Sequence, residues 1–172
     1  MSDSEFIIRA AMLEDAEEIG KVHVDAWRTT YRGILTDAFL AELNSESRAE
    51  SARIRIQNPN FDNLTALDKK SGRIVGFAAA GKSREKNLSA EGELYAIYLL
   101  KDYQGKGIGS DLFQAAKMKI KIRFKDFFVS VFTENNGAVA FYKKMGGLMI
   151  GNDHVDVESV RHKTDTYFWE LN

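Results

Sequence analysis

The sequence predicts a single domain of mixed α/β class, and three observations carry that prediction. The 172 residues are one domain's length of chain, 44% apolar and 28% charged. A chain of that size buries about two-thirds of its unfolded surface around one core. Its apolar residues switch between a spacing of two and spacings of three and four, in the order β, helices, β-β-β, α, β, α, β-β. No repeat, low-complexity tract or linker interrupts that order, so residues 1–172 read as one domain.

Each element has its own local reason. Phe6-Ile7-Ile8-Arg9 is a short opening strand. From Glu14, the residues Ala16, Ile19, Val22, His23, Ala26 and Trp27 recur every three or four positions, the signature of an amphipathic helix. Arg32-Gly33 breaks that helix, and Thr36 caps a short second one that runs to Leu43. A third, strongly charged helix spans Ser45 to Gln57 and stops before Asn58-Pro59, the only proline. Leu64–Asp68 and Arg73–Ala80 form a hairpin around Lys69-Lys70-Ser71-Gly72. The polar stretch Lys82–Glu91 is expected to be a mobile loop. Glu93–Leu100 is a strand, followed by a glycine cluster and a helix from Gly107 to Ile122. Phe127–Phe132, dense in aromatic and β-branched residues, is a buried strand. Asn136–Met145 is a helix stopped by Gly146-Gly147, and two strands follow near Leu148–Asp153 and Thr164–Leu171.

Composition excludes several chemistries. With 24 basic and 25 acidic residues the formal charge is −1, so neither nucleic acid nor an anionic membrane is called for. There is no cysteine, which removes disulfides, thiolate metal sites and a cysteine acyl-enzyme. His154 and His162 are isolated and no histidine pair has metal-ligand spacing, so no metal is expected. The apolar stretches are too short to span a bilayer and Met1–Glu5 is polar rather than signal-like, so the expected location is the cytoplasm.

The segment Tyr103-Gln104-Gly105-Lys106-Gly107-Ile108-Gly109-Ser110 leads from a strand into a helix. Glycines there let backbone N–H groups approach an anion, and the first turn of the helix adds unpaired donors and a positive dipole end. A pyrophosphate is the natural guest. A Walker loop would need Gly-Lys-Ser/Thr, which Gly107-Ile108-Gly109 lacks. A dinucleotide fingerprint needs glycines at first, third and sixth positions, and here they stand first, third and fifth; Asp126, the acid at the right distance, precedes its strand. The alternative is that the glycines only close a tight strand-to-helix turn.

Gln104-x-x-Gly107-x-Gly109, with Ile97-Tyr98-Leu99 just upstream, resembles the cofactor motif of the GNAT family of N-acetyltransferases. Asn135-x-x-Ala138-x-x-Phe141-Tyr142-Lys143-Lys144-Met145-Gly146 is similar to that family's second signature, and Ile8-Arg9, Leu13–Ala16 and Trp27–Leu35 resemble its opening. The three matches cover almost the whole chain. Two positions depart from the pattern: Lys101 stands where many members have proline, and Gly147 where they have phenylalanine, which is expected to weaken packing at that turn. The resemblance implies the acyl-CoA N-acyltransferase fold, a central, mostly antiparallel sheet splayed between its fourth and fifth strands with helices on both faces. It implies acetyl-CoA as cosubstrate, held by the strand Ile97-Tyr98-Leu99 through the backbone of Ile97 and Leu99. It further implies phosphate contacts from Gln104, Gly105, Lys106, Gly107, Ile108, Gly109 and Ser110, and a cofactor contact from Asn135.

The implied reaction moves an acetyl group onto a primary amine of a small molecule or protein. A protonated amine, with a pKa near ~10, must lose a proton before attack, and a departing thiolate leaves better when a proton meets it. Without cysteine, direct attack in a ternary complex is the economical route. Tyr142 is the candidate acid, its hydroxyl put near the cofactor sulfur by the resemblance; the alternative is a tyrosine packing its ring in the core. Glu93, four residues before Ile97, is the candidate base, as in histone-acetylating members of the family; the alternatives are a solvent-facing glutamate, an ordered water chain, or Glu91. His23, Trp27 and Tyr31 recur every four residues, and Trp27 and Tyr31 are expected to line the acceptor pocket unless the stripe simply packs on the sheet. The basic run Lys117, Lys119, Lys121, Arg123 and Lys125 reads as a solvated helix face that could also help hold the cofactor's 3′-phosphate. A catalytically silent acetyl-CoA-binding module is the competing function, and a homodimer is left open.

Overall fold

A computed structural model describes residues 4–171, so the first three residues of the polar start at Met1–Glu5 lie outside the described residues. Seven strands form one sheet in the order β1-β2-β3-β4-β5-β7-β6. They are β1 Phe6–Ala10, β2 Phe61–Asp68, β3 Ile74–Lys82, β4 Gly92–Leu99, β5 Asp126–Phe132, β6 Leu148–Val157 and β7 Val160–Glu170. All pairings are antiparallel except β4 with β5, which is parallel and brief. Only Gly92 with Phe127 and Glu93 with Phe128 are in register there. Beyond Glu93 the two strands part. The backbone of Tyr95–Leu99 that would face β5 is left without a strand partner.

Helices cover both faces. α1 Ala16–Thr30, α2 Asp37–Glu42 and α3 Ser45–Gln57 lie on one side; α4 Ile108–Arg123 and α5 Asn136–Lys144 lie on the other. The apolar stripe of α1 buries Ala16, Ile19 and Val22 against Ile74, Phe77 and Ala52. Full burial of a residue such as Ile19 is worth roughly 2 kcal/mol of transfer free energy. On the opposite face, Leu112, Phe113, Ala116 and Ile120 of α4 pack on Ala78, Ala80, Leu94, Phe127 and Val129. Thr36 caps α2 by accepting from Phe39 N–H, and Asn44 caps α3 through Ser47 N–H.

β2 begins at Phe61, three residues before the strand that the sequence pattern indicates, and two further differences bear on packing. The tail strands are longer than the apolar pattern indicates, forming a hairpin whose turn residues Glu158 and Ser159 both take left-handed φ. Their exposed polar residues hide the strand periodicity. The turn at Gly147 is also well packed. A Cβ there would lie 2.6 Å from the Trp169 ring, whose Nε1–H donates to Met145 O at 2.9 Å. The indole occupies the space that a side chain at position 147 would need.

Candidate active site

The parting of β4 and β5 opens one continuous cavity of about 1100 Å³. One wall is the glycine loop. Gly105 and Gly107 have φ of 74° and 84°, a backbone conformation that side chains strain, and Gly107 is the N-cap of α4. Asp111 N–H is the first amide to close on Gly107 O, which leaves the amides of Ile108, Gly109 and Ser110 without helical partners. A Cβ on Gly109 would meet Leu99 at 3.3 Å and Phe141 at 3.6 Å, so glycine keeps this approach clear. Gln104 Nε2 reaches Leu99 O at 3.4 Å. Gln104, Gly105, Gly107, Gly109, Ser110 and the strand Ile97–Leu99 all line the cavity, as do Lys101 and Lys144; Lys106 and Ile108 do not. Ile108 is buried beneath the loop, and the Lys106 ammonium lies over the Tyr103 ring. Free amides, a positive helix end and an approach kept bare by glycine fit a pyrophosphate.

Asn135 lines the cavity and caps α5 through Oδ1, which accepts from Ala138 N–H at 3.2 Å. About two turns on, Tyr142 is buried against Phe113, Tyr167 and Trp169 while still lining the cavity. Burial, then the neighbouring Tyr98, push its pKa above the ordinary phenol value, so its proton is held at neutral pH.

The other wall is aromatic. Trp27 and Tyr31 line the cavity with Tyr98 and Phe132. The Tyr31 and Tyr98 hydroxyls are 3.0 Å apart, and burial raises both phenols. Tyr98 thus contributes more than backbone: its side chain turns to the face opposite α4 and meets α1. His23 does not line the cavity. It packs among Trp27, Phe77 and Tyr98, with neither ring nitrogen hydrogen-bonded. Burial first, then Arg48 and Arg55, lower its pKa to about 3.

Glu93 is buried at the closed end of the splay, but it is not alone. Arg84 Nη2 donates to Oε1 at 2.6 Å, while Arg84 Nε and backbone N–H donate to Oε2 at 3.1 and 2.9 Å. The Arg84 guanidinium in turn lies 4.4 Å above the Tyr95 ring. Glu91 stands outside the cavity, where its carboxylate accepts from Lys125 N–H. The basic run ends α4 on the side away from its glycine N-terminus, roughly 20 Å along the helix. There Arg123 donates to Pro59 O and Asn60 O, a structural role remote from the phosphate wall. Sequence reasoning missed Arg84, Ser130, Thr164 and Thr166, which also line the cavity. Strand pairing sets Ser130 beside Thr166 and Phe132 beside Thr164, a polar floor visible only once the register is known. Among the described residues, no group of three or more His, Asp or Glu side chains is placed to hold a metal, and no helix is long and apolar enough to cross a membrane.

Comparison with known proteins agrees with this geometry. A family model described as Acetyltransferase (GNAT) family matches residues 24–147. An uncharacterized N-acetyltransferase of Bacillus subtilis, YuaI, is 36% identical over 163 residues, covering 94% of this chain and 91% of its own. A spermidine N(1)-acetyltransferase of Thermoplasma acidophilum is 27% identical over 144 residues, 81% of this chain and 86% of its own. Among solved structures, YncA of Salmonella typhimurium, solved with its cofactor acetyl-CoA, superposes with a TM-score of 0.75 at 15% identity. That match covers 98% of this chain and 95% of the other.

Proposed function

The chain belongs to the GNAT acetyltransferase family, and from that premise we propose that it transfers an acetyl group from acetyl-CoA to a primary amine by direct attack in a ternary complex. The observation that carries this reading is the single cavity joining the α4 N-terminus, the unpaired edge of β4 and the Tyr142 hydroxyl. Bound acetyl-CoA supplies an activated carbonyl and a thiolate leaving group. The loop amides from Gly107 to Ser110 bind its phosphates, with Lys101 and Lys144 adding positive charge nearby. Asn135 and the backbone of Ile97 to Leu99 orient the acyl arm, and a β4 N–H hydrogen-bonds the carbonyl oxygen as charge builds on it.

Tyr142 delivers the proton to the departing sulfur. The phenol is protonated at neutral pH, so the donor is loaded before the thiolate forms; burial, by raising its pKa, favours hydrogen bonding to the sulfur over full proton release. Glu93 is the proposed base, taking the proton of the acceptor ammonium through ordered water. The bonds from Arg84 fix its carboxylate in one orientation. Trp27 and Tyr31 shape the acceptor wall, and the cytoplasm, where acetyl-CoA is available, is the proposed location. The small-molecule reading of the acceptor draws on the spermidine acetyltransferase relative.

The test is free-thiol release from acetyl-CoA across a panel of primary amines and amine-terminated peptides, beside calorimetric binding of acetyl-CoA. Amine-dependent thiol release is expected. Binding of acetyl-CoA with no release by any amine would replace the enzyme reading with a silent acetyl-CoA-binding module.

A further inference from the structure

Three tyrosines from three elements line the cavity. Tyr31 is the C-cap of α1, Tyr98 stands on the open stretch of β4, and Tyr142 lies on α5. The Tyr31 and Tyr98 hydroxyls are 3.0 Å apart. Among the described residues no other group makes a hydrogen bond of normal geometry with either; Trp27 Nε1–H, though near Tyr98, stays without a partner. Both rings are fixed by their neighbours. Tyr98 stacks on His23 at 5.6 Å and tilts against Phe77 and Trp27, while Tyr31 packs T-shaped on Trp27 at 4.8 Å and on Phe132 at 5.3 Å. The phenol protons can still rotate, but the oxygens cannot move far.

Two phenols hold two protons and two accepting oxygens, and one proton closes the bond between them. When Tyr98 donates that proton to Tyr31, the Tyr98 oxygen keeps its lone pairs for a donor from the cavity. Polar groups left unmet in an aromatic wall are costly, so the arrangement suits a ligand that donates a hydrogen bond. The backbone of Tyr98 lies on the β4 edge that is proposed to orient the acyl arm, and its side chain leaves toward α1, on the acceptor side. One residue thus stands beside both reactants.

We infer that the Tyr98 hydroxyl oxygen, its proton committed to Tyr31, accepts an N–H of the acceptor amine and so turns the nitrogen lone pair toward the acetyl carbonyl. This rests on the acetyltransferase reading and adds a residue to it. Glu93 keeps its proposed task of removing the ammonium proton; Tyr98 holds one of the N–H bonds that remain, and no proton passes to or from its oxygen. The surroundings do not favour a retained ammonium: the rings are apolar, His23 is neutral, and the Arg48 guanidinium bears on Tyr98. Tyr31 acts through Tyr98 as a positioning residue. Without it, the Tyr98 proton is free to bond the amine's own lone pair, which holds the amine but blocks its attack.

The experiment measures thiol release by the wild type, Tyr98→Phe, Tyr31→Phe and the double variant with the best primary amine of the panel, with acetyl-CoA calorimetry and melting temperature as checks on folding. Tyr98→Phe should lower kcat/KM for the amine by roughly 10–100-fold, with KM raised and kcat lowered. That deficit should stay constant as pH rises toward the amine's own value, because an N–H is donated in either protonation state. Tyr31→Phe should lower kcat by about tenfold with KM for the amine unchanged or lower, the sign of unproductive binding. The double variant should match Tyr98→Phe, since Tyr31 works only through the hydroxyl already removed. Wild-type acceptor kinetics in Tyr98→Phe would overturn the inference. So would losses that add in the double variant, or a deficit that vanishes at high pH, which would make the hydroxyl part of proton removal. A KM for acetyl-CoA raised as much as that for the amine would also overturn it, as the mark of a structural role. If Tyr98→Phe fails to fold, Tyr31→Phe decides: a raised amine KM with unchanged kcat would contradict the assignment. Acetyl-CoA binding without thiol release by any amine would instead remove the enzyme reading on which the inference stands.

Discussion

The two walls of the cavity are made of different materials. The cofactor wall is backbone: the bare amides of Ile108 to Ser110 and the unpaired edge of β4, with Lys101 and Lys144 nearby. The acceptor wall is side chain: Trp27, Tyr31, Tyr98 and Phe132, and the Arg84–Glu93 pair, drawn from four separate elements. A backbone site offers the same donors whatever the neighbouring side chains, so it suits a cosubstrate shared by a whole family. A side-chain site can be rebuilt by single substitutions, so it is where we propose that acceptor choice resides. The proposed chemistry lies on the seam between them.

The largest effect is expected at that seam. Tyr142→Phe keeps the ring against Phe113 and Trp169 and deletes only the proton donor. Its catalytic rate should fall by roughly 10²–10⁴, the usual worth of general acid catalysis, with melting temperature nearly unchanged. Wild-type turnover under chemistry-limited conditions would make the hydroxyl structural and hand its role to an ordered water.

Next in size is a stability effect at His23, which packs behind the aromatic wall against Trp27 and Tyr98. His23 is held neutral, with its pKa lowered from 6.5 to about 3. The unfolded chain therefore takes up a proton between those values that the folded chain refuses, so stability is intact above about pH 6.5 and declines as pH falls toward 3. At pH 4 the penalty is on the order of 3 kcal/mol. His23→Phe, which retains an aromatic ring among Trp27, Phe77 and Tyr98, should lose much less stability than the wild type between pH 7 and pH 4 in urea unfolding. Parallel declines in the two proteins would mean that His23 is not the group responsible.

The smallest of the three belongs to the proposed base. Glu93→Gln should slow the reaction by about tenfold near neutral pH, about 1.4 kcal/mol of barrier. The deficit should shrink as pH approaches the acceptor amine's own value near ~10, where solvent has already removed the proton. A deficit that stays constant with pH would assign Glu93 to holding Arg84 and nothing more.

The same contrast explains what could be read from the chain. The cofactor wall is local: Gly105, Gly107 and Gly109 stand within five residues, and their strand-to-helix setting announces the loop. Helix boundaries such as Ser45–Gln57, with Asn44 capping one end and Pro59 beyond the other, are equally local. The acceptor wall depends on register. Tyr98 meets Tyr31 across 67 positions, and Arg84 reaches Glu93 only because the β3–β4 loop folds back on its own strand. The compensation of Gly147 by Trp169 was hidden for the same reason, since the two residues are neighbours only after β7 pairs with β5.

The central claim is that the bare amides at the start of α4 hold the cosubstrate. Its most direct test is acetyl-CoA calorimetry on Gly109→Val, where the added side chain would stand between Leu99 and Phe141 at the floor of the loop. The account predicts that the wild type binds, and that the variant, folded by circular dichroism, gives no measurable heat at the same concentrations. A folded Gly109→Val protein with wild-type affinity for acetyl-CoA would contradict it.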